Sequence, residues 1–179
     1  MKTLWVFGYG SLMWDPGFAF AERVPARLEG WHRSFCMASI HYRGTPERPG
    51  LVLALDAAEG AVCDGVAYGV SAEHADATHA YLRERELISY AYDERFVPLT
   101  LADGRRVEAL TYVINREHEQ YRGAETREAQ AGVIATAVGQ RGPNADYLFN
   151  TVDHLRALGI EDADLDWLAA RVRAALNRG

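Results

Sequence analysis

The order of strand-like and helical segments predicts an α+β fold built around a curved, largely antiparallel sheet or a small barrel. Short apolar runs typical of strands dominate the chain up to residue 114, with one helical segment inserted among them. Three further helical segments fill the last third of the chain. With 179 residues, 49% of them hydrophobic, the chain has the length of one domain and enough apolar material for a core. We therefore expect residues 1–179 to form a single domain.

The strand predictions rest on apolar runs bounded by turn residues. The first run, residues 4–7, ends at Gly8-Tyr9-Gly10-Ser11, which predicts a buried strand followed by a glycine-rich turn. Asp103-Gly104 is a hairpin signal between the last two runs, and residues 43–50 have the composition of a loop. The remaining predicted strands are Trp31–Ile40, Leu51–Leu55, Val62–Val70, Arg95–Leu101 and Arg106–Ile114.

The helix predictions rest on capping residues and helical spacing. Ser71 is a candidate cap for a helix that runs to about Tyr90, with acidic residues in its early turns where the helix dipole favours them. In the last third we expect helices over residues 125–139, 144–158 and 161–177.

Composition argues against several classes of protein. The formal net charge is -6, and no block of like charges stands out, so a nucleic-acid partner or an anionic membrane surface is not expected. Only four apolar residues precede Gly8, too few for a secretory signal, and Cys36 and Cys63 lack metal or redox spacing. The six histidines are scattered, so no metal site is expected. We expect a cytoplasmic protein with two buried free thiols.

Two segments could carry chemistry. Gly8-Tyr9-Gly10 lacks the third glycine of a dinucleotide fingerprint, because Met13 occupies that position. A glycine-rich turn can nevertheless present backbone N–H groups to an anion, since a missing Cβ lets a ligand carboxylate approach the main chain. The acid-rich helix after Ser71 could supply a carboxylate base beside that turn.

Helical periodicity ranks the acids of this helix. At 100° per residue Glu84 falls inside the apolar stripe, and Glu86 falls on its flank, near His79, Leu82 and Tyr90. Periodicity alone therefore favours Glu84 as the unusual acid. The residues that define the predicted stripe are Ala77, Ala80, Tyr81, Leu87, Ile88 and Ala91.

Four motifs, in this order along the chain, resemble those of the ChaC-type glutathione-specific γ-glutamylcyclotransferases. The resemblance runs over nearly the whole chain. The opening motif is Trp5-Val6-Phe7-Gly8-Tyr9-Gly10-Ser11-Leu12-Met13-Trp14. The others are Arg43-Gly44-Thr45-Pro46-Glu47 with Pro49-Gly50, Tyr81-Leu82-x-x-Arg85-Glu86, and Gly142-Pro143-Asn144 followed by Tyr147-Leu148-Phe149.

The resemblance implies a γ-glutamylcyclotransferase-like fold, a small mixed or antiparallel β-barrel with flanking helices. It also implies cleavage of glutathione to 5-oxoproline and cysteinylglycine, and it selects Glu86 over Glu84 as the catalytic acid and base. The implied substrate-binding residues are Gly8, Tyr9, Gly10, Ser11, Leu12, Met13, Arg43, Tyr90 and Tyr147. The reaction requires neither a cofactor nor a metal, and we expect a small-molecule substrate and a monomer or weak dimer.

Two departures from the family pattern leave the substrate open. Arg122-Gly123-Ala124-Glu125 stands where the family usually has a Leu-Gly-Pro-like run, and Leu87-Ile88-Ser89-Tyr90 stands where a glycine pair is common. The alternatives are a cyclotransferase acting on other γ-glutamyl amino acids or amines, and a non-catalytic binding module of the same fold. The presence of Glu86 argues against the second.

Overall fold

The computed structural model describes residues 2–87 and 91–178. A 3₁₀ turn, Ser11–Met13, follows the first strand. The strands are β1 (Leu4–Gly8), β2 (Glu22–Ser39), β3 (Gly50–Val70), β4 (Tyr92–Leu101), β5 (Arg106–Ile114), β6 (Val138–Gly139) and β7 (Gly142–Pro143). The helices are α1 (Ala72–Glu86), α2 (Arg127–Thr136), α3 (Asn144–Ala157) and α4 (Ala163–Asn177).

Five of the described strands close a barrel in the order β1-β3-β2-β4-β5. Strand β1 runs antiparallel to β3, with Leu4 opposite Val70, and parallel to β5, with Trp5 opposite Ala109. The other pairings with a described register, β2 with β4 and β4 with β5, are antiparallel. The predicted α+β class with a small, mixed and largely antiparallel barrel is confirmed.

The described residues form two compact units. One comprises the chain up to Arg33 together with Ala54–Glu119, and the other comprises Ser34–Leu53 together with the chain from Gln120 onward. The prediction that residues 1–179 form one domain stays a prediction.

The first unit is organised around the apolar interior of the barrel. Inward-facing side chains alternate with exposed ones along the strands, as in the β4 sequence Phe96, Val97, Pro98, Leu99. The interior cluster consists of Phe7, Tyr9, Ala26, Leu28, Leu55, Cys63, Ala67, Val97, Leu99, Leu101, Ala109 and Val113. Because Phe7 and Tyr9 belong to this cluster, the packing fixes the end of β1 and the start of the glycine-rich turn in the barrel.

The second unit contains α2, α3 and α4, whose apolar faces pack on one another. The side chains of Ile134, Leu148 and Val172 are completely buried in the three helices. Buried Asn144 at the start of α3 accepts a hydrogen bond from the N–H of Leu51 and donates one to its carbonyl, both at 2.8 Å. A side-chain amide thus supplies the pairing that a neighbouring strand would otherwise give to this part of β3.

The strand boundaries differ from the sequence-based ones in two places. Strand β2 begins at Glu22, nine positions before the predicted start, and β3 is one strand where two were predicted. Gly30 in β2 and Gly60 in β3 have φ values of 87° and 79°. Glycines in this left-handed region are typical of bulges, which let long strands bend around a small barrel instead of ending. The hairpin predicted at Asp103-Gly104 is confirmed, since Thr100 pairs with Arg106.

The helices are shorter than predicted. Helix α1 ends at Glu86, with Leu87 as its C-cap, and Tyr90 lies outside the described residues. Ser71 occupies the N-cap position, but its side chain makes no capping hydrogen bond. Helix α2 stops at Thr136, because Val138–Gly139 pairs with Gly142–Pro143 in a two-stranded hairpin.

Candidate active site

The glycine-rich turn is a tightly held segment at the end of β1. The amide of Met13 donates to the carbonyl of Gly10 at 2.9 Å, and the amide of Asp15 donates to the carbonyl of Ser11 at 2.7 Å. The buried hydroxyl of Tyr68 lies 2.7 Å from the Leu12 carbonyl oxygen and 2.9 Å from that of Met13, and donates toward both. Burial raises the pKa of Tyr68, so the hydroxyl keeps its proton and remains a donor.

Tyr9 anchors this turn through its side chain. Its ring belongs to the barrel interior, and its hydroxyl donates to the carbonyl of Tyr112 on β5 at 2.9 Å. The buried guanidinium of Arg33 donates to the carbonyl of Tyr9 at 2.8 Å and also to that of Asp64. Hydrogen bonds therefore fix both the side chain and the backbone carbonyl of Tyr9, and with them the position of the turn.

Glu86 is the last residue of α1, on the buried side of the helix. Thr78 and Leu82 are buried and lie eight and four positions before it, so all three share one helical face. The Glu86 side chain is 18% exposed. Burial raises the pKa of its carboxyl, and the nearby Arg85 charge opposes that rise. A raised pKa suits a group that must accept and then return a proton near neutral pH.

The periodicity ranking of the acids was wrong. Glu84 is exposed, as are Ala77 and Ala80 of the predicted apolar stripe. Alanine is small and tolerated on either face of a helix, so Ala77 and Ala80 placed the predicted stripe on the wrong side. The spacing of Thr78, Leu82 and Glu86 was the signal that could have placed it correctly.

Arg85 brings the turn and the end of α1 together. Its Nη2 donates to Ser11 Oγ at 3.2 Å, and its Nε lies 3.6 Å from Glu86 Oε1. One guanidinium thus contacts both the glycine-rich turn and the carboxylate that the family motif singles out.

A second acid, Glu94 on β4, was missed by the sequence analysis. Its carboxylate accepts two hydrogen bonds from Arg83, at 3.0 and 3.1 Å, and one from the Tyr112 hydroxyl at 3.0 Å, while His79 Nε2 lies 2.9 Å away. The Arg83 hydrogen bonds, followed by the nearby His79 and the Tyr112 hydroxyl, lower the pKa of Glu94 to about 2. The register counted back from the Asp103-Gly104 turn places Glu94 opposite Tyr112, and could have identified this pair.

Tyr112 connects the two acids. It is 2% exposed, and burial, the hydrogen bond to Glu94 and the charges of Glu94 and Glu86 all raise its pKa. The hydroxyl is therefore neutral throughout the range in which Glu86 titrates. The two carboxyls of this region have opposite preferences: Glu94 is held ionised, and Glu86 holds its proton more tightly than an exposed glutamate.

Arg43 and Tyr147, predicted to bind substrate, both lie in the second unit. Arg43 Nη1 donates to the carbonyls of Arg141 and Pro143, at 3.0 and 3.2 Å, and its guanidinium carbon lies 5.8 Å from the centre of the Tyr147 ring. The Tyr147 hydroxyl accepts a hydrogen bond from the amide of Leu53 at 3.2 Å. These two residues are thus neighbours, and Tyr90, the remaining predicted binding residue, lies outside the described residues.

No group of three or more His, Cys, Asp or Glu side chains is arranged to hold a metal ion within residues 2–87 and 91–178. Over the same residues, no helix combines the length and the apolarity that crossing a membrane requires.

The barrel, the turn at the end of β1 and the partly buried acid at the end of α1 together define a family. The model for ChaC-like proteins matches residues 4–175, and the chain belongs to this family. The resemblance found in the sequence is thereby confirmed.

Similar proteins carry consistent names. The glutathione-specific γ-glutamylcyclotransferase of Escherichia coli K12 is 39% identical over 173 residues, which cover 97% of this chain and 74% of that protein. The protein of the same name from Schizosaccharomyces pombe is 32% identical over 195 residues, which cover 98% of this chain and 95% of that protein. The crystal structure of the glutathione-specific γ-glutamylcyclotransferase from yeast superimposes with a TM-score of 0.88 at 25% identity, covering 100% of this chain and 99% of that one.

Proposed function

We propose that this chain is a γ-glutamylcyclotransferase that converts glutathione into 5-oxoproline and cysteinylglycine, with Glu86 as the general base and acid. The names of the bacterial and yeast relatives support the substrate. The observation that carries the assignment of Glu86 is its carboxyl, 18% exposed and with a pKa raised by burial, next to an arginine that contacts the glycine-rich turn.

The reaction exploits the geometry of the substrate. In a γ-glutamyl peptide the α-amine can reach the γ-carbonyl carbon to close a five-membered ring, so the enzyme mainly has to hold the folded conformer. The new bond joins the amine nitrogen to that carbon, and the bond from the carbon to the cysteine nitrogen breaks. The atoms of the two products are those of glutathione, so no cofactor or metal enters the balance.

Proton transfer is the task of Glu86 in this scheme. The α-ammonium first loses a proton to the solvent and so becomes nucleophilic. During attack a second proton leaves the same nitrogen, and the departing cysteinylglycine nitrogen must receive one. The ionised Glu86 takes the proton from the attacking nitrogen and returns it to the leaving nitrogen. Tyr112, whose pKa is raised mainly by burial, stays protonated throughout.

The glycine-rich turn supplies the donors. We assign the backbone of Gly8, Tyr9, Gly10, Ser11, Leu12 and Met13 to binding of the γ-glutamyl end of the substrate. Apart from the Met13 N–H, which donates to the Gly10 carbonyl, we assign its N–H groups to the α-carboxylate and to the oxyanion that forms on the γ-carbonyl. A Cβ on Gly8 would lie only 3.1 Å from Leu12 Cβ, so a larger residue there would displace the compact turn by a few tenths of an ångström. Arg43, Tyr90 and Tyr147 stay predicted substrate-binding residues, on the family resemblance alone.

The setting proposed for the enzyme is the cytoplasm. Both cysteines, Cys36 and Cys63, are free and buried, which fits a reducing compartment. The net charge of -6 disfavours a nucleic acid or an anionic membrane as partner. We propose that residues 1–179 act as one γ-glutamylcyclotransferase-like domain, since the family match runs from residue 4 to residue 175. We also propose that the enzyme is a monomer or weak dimer.

The test is release of 5-oxoproline by the pure protein, residues 1–179, from glutathione and, separately, from a γ-glutamyl dipeptide. We expect product from glutathione, and a fall of about 10²- to 10⁴-fold for Glu86→Gln, the contribution typical of a general acid–base residue. Glu84→Gln, an exposed acid two positions earlier on the same helix, is the matched control and should keep wild-type activity.

The outcomes separate the alternatives. Product from the dipeptide alone would indicate a cyclotransferase for other γ-glutamyl compounds. Product from neither substrate would indicate a non-catalytic module, and full activity of Glu86→Gln would refute the role of Glu86.

A further inference from the structure

The side chain of Arg85, near the end of α1, makes several polar contacts with other segments. Nη1 donates to the carbonyls of Asp15 and Pro16, at 2.8 and 3.2 Å, and lies 3.1 Å from the Tyr81 hydroxyl. Nη2 donates to Ser11 Oγ at 3.2 Å. The guanidinium therefore joins α1 to both ends of the segment 11–16, which consists of the last three residues of the glycine-rich turn and the three residues after it.

Close packing supports the same junction from the other side. Gly17 has a φ of 75°, and a Cβ on it would clash with the hydroxyl and ring of Tyr81. Tyr81 lies one helical turn before Arg85, so the two side chains form a continuous surface against residues 11–17. Apart from the 3₁₀ turn, the chain between β1 and β2 contains no regular helix or strand, so these contacts act together with those of Tyr68 to hold it in place.

We propose that Arg85 is a positioning residue, which holds the glycine-rich turn at a fixed place relative to Glu86. The inference rests on the proposed function, because it assigns the turn to the γ-glutamyl end and Glu86 to proton transfer. Arg85 acts through these two groups: five polar contacts from one planar guanidinium define both a distance and an orientation, which a single contact cannot do. Proximity catalysis is sensitive to displacements of this scale.

Arg85 also acts on Glu86 through its charge. Its Nε lies 3.6 Å from Glu86 Oε1, and its charge lowers the pKa that burial raises. The Glu86 charge helps to raise the pKa of Tyr112 on β5, whose hydroxyl stays neutral, and Glu94 on β4 accepts a hydrogen bond from that hydroxyl and is itself paired with Arg83. Arg85 is thus the cation beside Glu86 whose loss should shift the Glu86 titration to higher pH.

Two substitutions separate these roles. Arg85→Lys keeps the charge but cannot reproduce the planar set of donors, so we expect KM for glutathione to rise about tenfold or more, with the acidic limb of kcat/KM near its wild-type pH. Arg85→Gln removes the charge as well, so we expect the same rise in KM together with a shift of the acidic limb to higher pH. Arg105→Gln is the control: Arg105 pairs with Glu22 and Asp103 on the surface, and its loss should change neither quantity.

A second measurement does not depend on activity. Hydrogen exchange followed by mass spectrometry should show faster exchange of the peptide covering residues 9–17 in Arg85→Gln than in wild type or Arg105→Gln. If wild type releases no 5-oxoproline, the proposed function fails, while faster exchange still supports the positioning role. Unchanged exchange in this peptide, or a KM and pH profile of Arg85→Gln equal to wild type, would overturn the proposal.

Discussion

The acid dependence of stability should report the state of Glu94. A pKa lowered from 4.5 to about 2 corresponds to about 3 kcal/mol, because each tenfold change in proton affinity is worth about 1.4 kcal/mol. Arg83, the largest cause, is 57% exposed, and solvent screening reduces the contribution to about 1–2 kcal/mol. Because the Glu94 pKa is lower in the folded state, ionised Glu94 stabilises the folded state at pH values above its unfolded-state pKa of 4.5. This stabilisation is lost as the pH falls from 4.5 toward 2.

Glu94→Gln should therefore lower the free energy of unfolding by about 1–2 kcal/mol at pH 7 and by much less near pH 2. Urea unfolding curves of both proteins at a series of pH values measure the difference directly. Glu108→Gln, an exposed acid on the partner strand of the same hairpin, is the control and should change little at any pH. A Glu94→Gln deficit that is equal at pH 7 and near pH 2 would show that the ionised carboxylate is not what stabilises the hairpin.

Two more predictions concern the proposed site. Burial raises the pKa of Glu86, so ionisation of this carboxyl destabilises the folded protein. In thermal melts Glu86→Gln should therefore be more stable than wild type at pH 8, and this advantage should vanish below about pH 4.5. A lower melting temperature of the variant at pH 8 would contradict the argument. Gly17→Ala places an alanine in the left-handed backbone region and brings its Cβ into a clash with Tyr81. This variant should lose about 1–3 kcal/mol of stability, measured by urea unfolding, and its KM for glutathione should rise. Wild-type values of both would show that residues 11–17 tolerate displacement.

Part of the site could be predicted because its chemistry is local. The glycine-rich turn after β1 follows from a short apolar run that ends in Gly8-Tyr9-Gly10, and the structure has a strand and a tight turn at these positions. The choice of Glu86 came from the resemblance alone. Periodicity chose Glu84, because alanines carry little information about which helical face is buried.

The remaining site features depend on contacts between segments distant in sequence. Arg85 contacts residues about 70 positions earlier, and the Tyr9 hydroxyl bonds to a carbonyl 103 positions later. No local pattern encodes such pairs, because they exist only once the barrel has closed. The Glu94–Tyr112 pair is intermediate. The hairpin turn sets which residues lie opposite each other, but the Arg83 hydrogen bonds that keep Glu94 ionised and the burial that keeps Tyr112 protonated arise only in the folded chain.

By itself the sequence determined the class of fold, the strand that carries the glycine-rich turn, the β4–β5 hairpin and, through its motifs, the family. These features depend on short-range periodicity and turn chemistry, which act between neighbours in the chain. Only the tertiary structure decided that β3 is continuous, that β2 extends back to Glu22, which face of α1 is buried, and how the charges around Glu86 are arranged. Burial and electrostatic environment are properties of the packed barrel, and they alone distinguish a solvated glutamate from one whose proton affinity is raised.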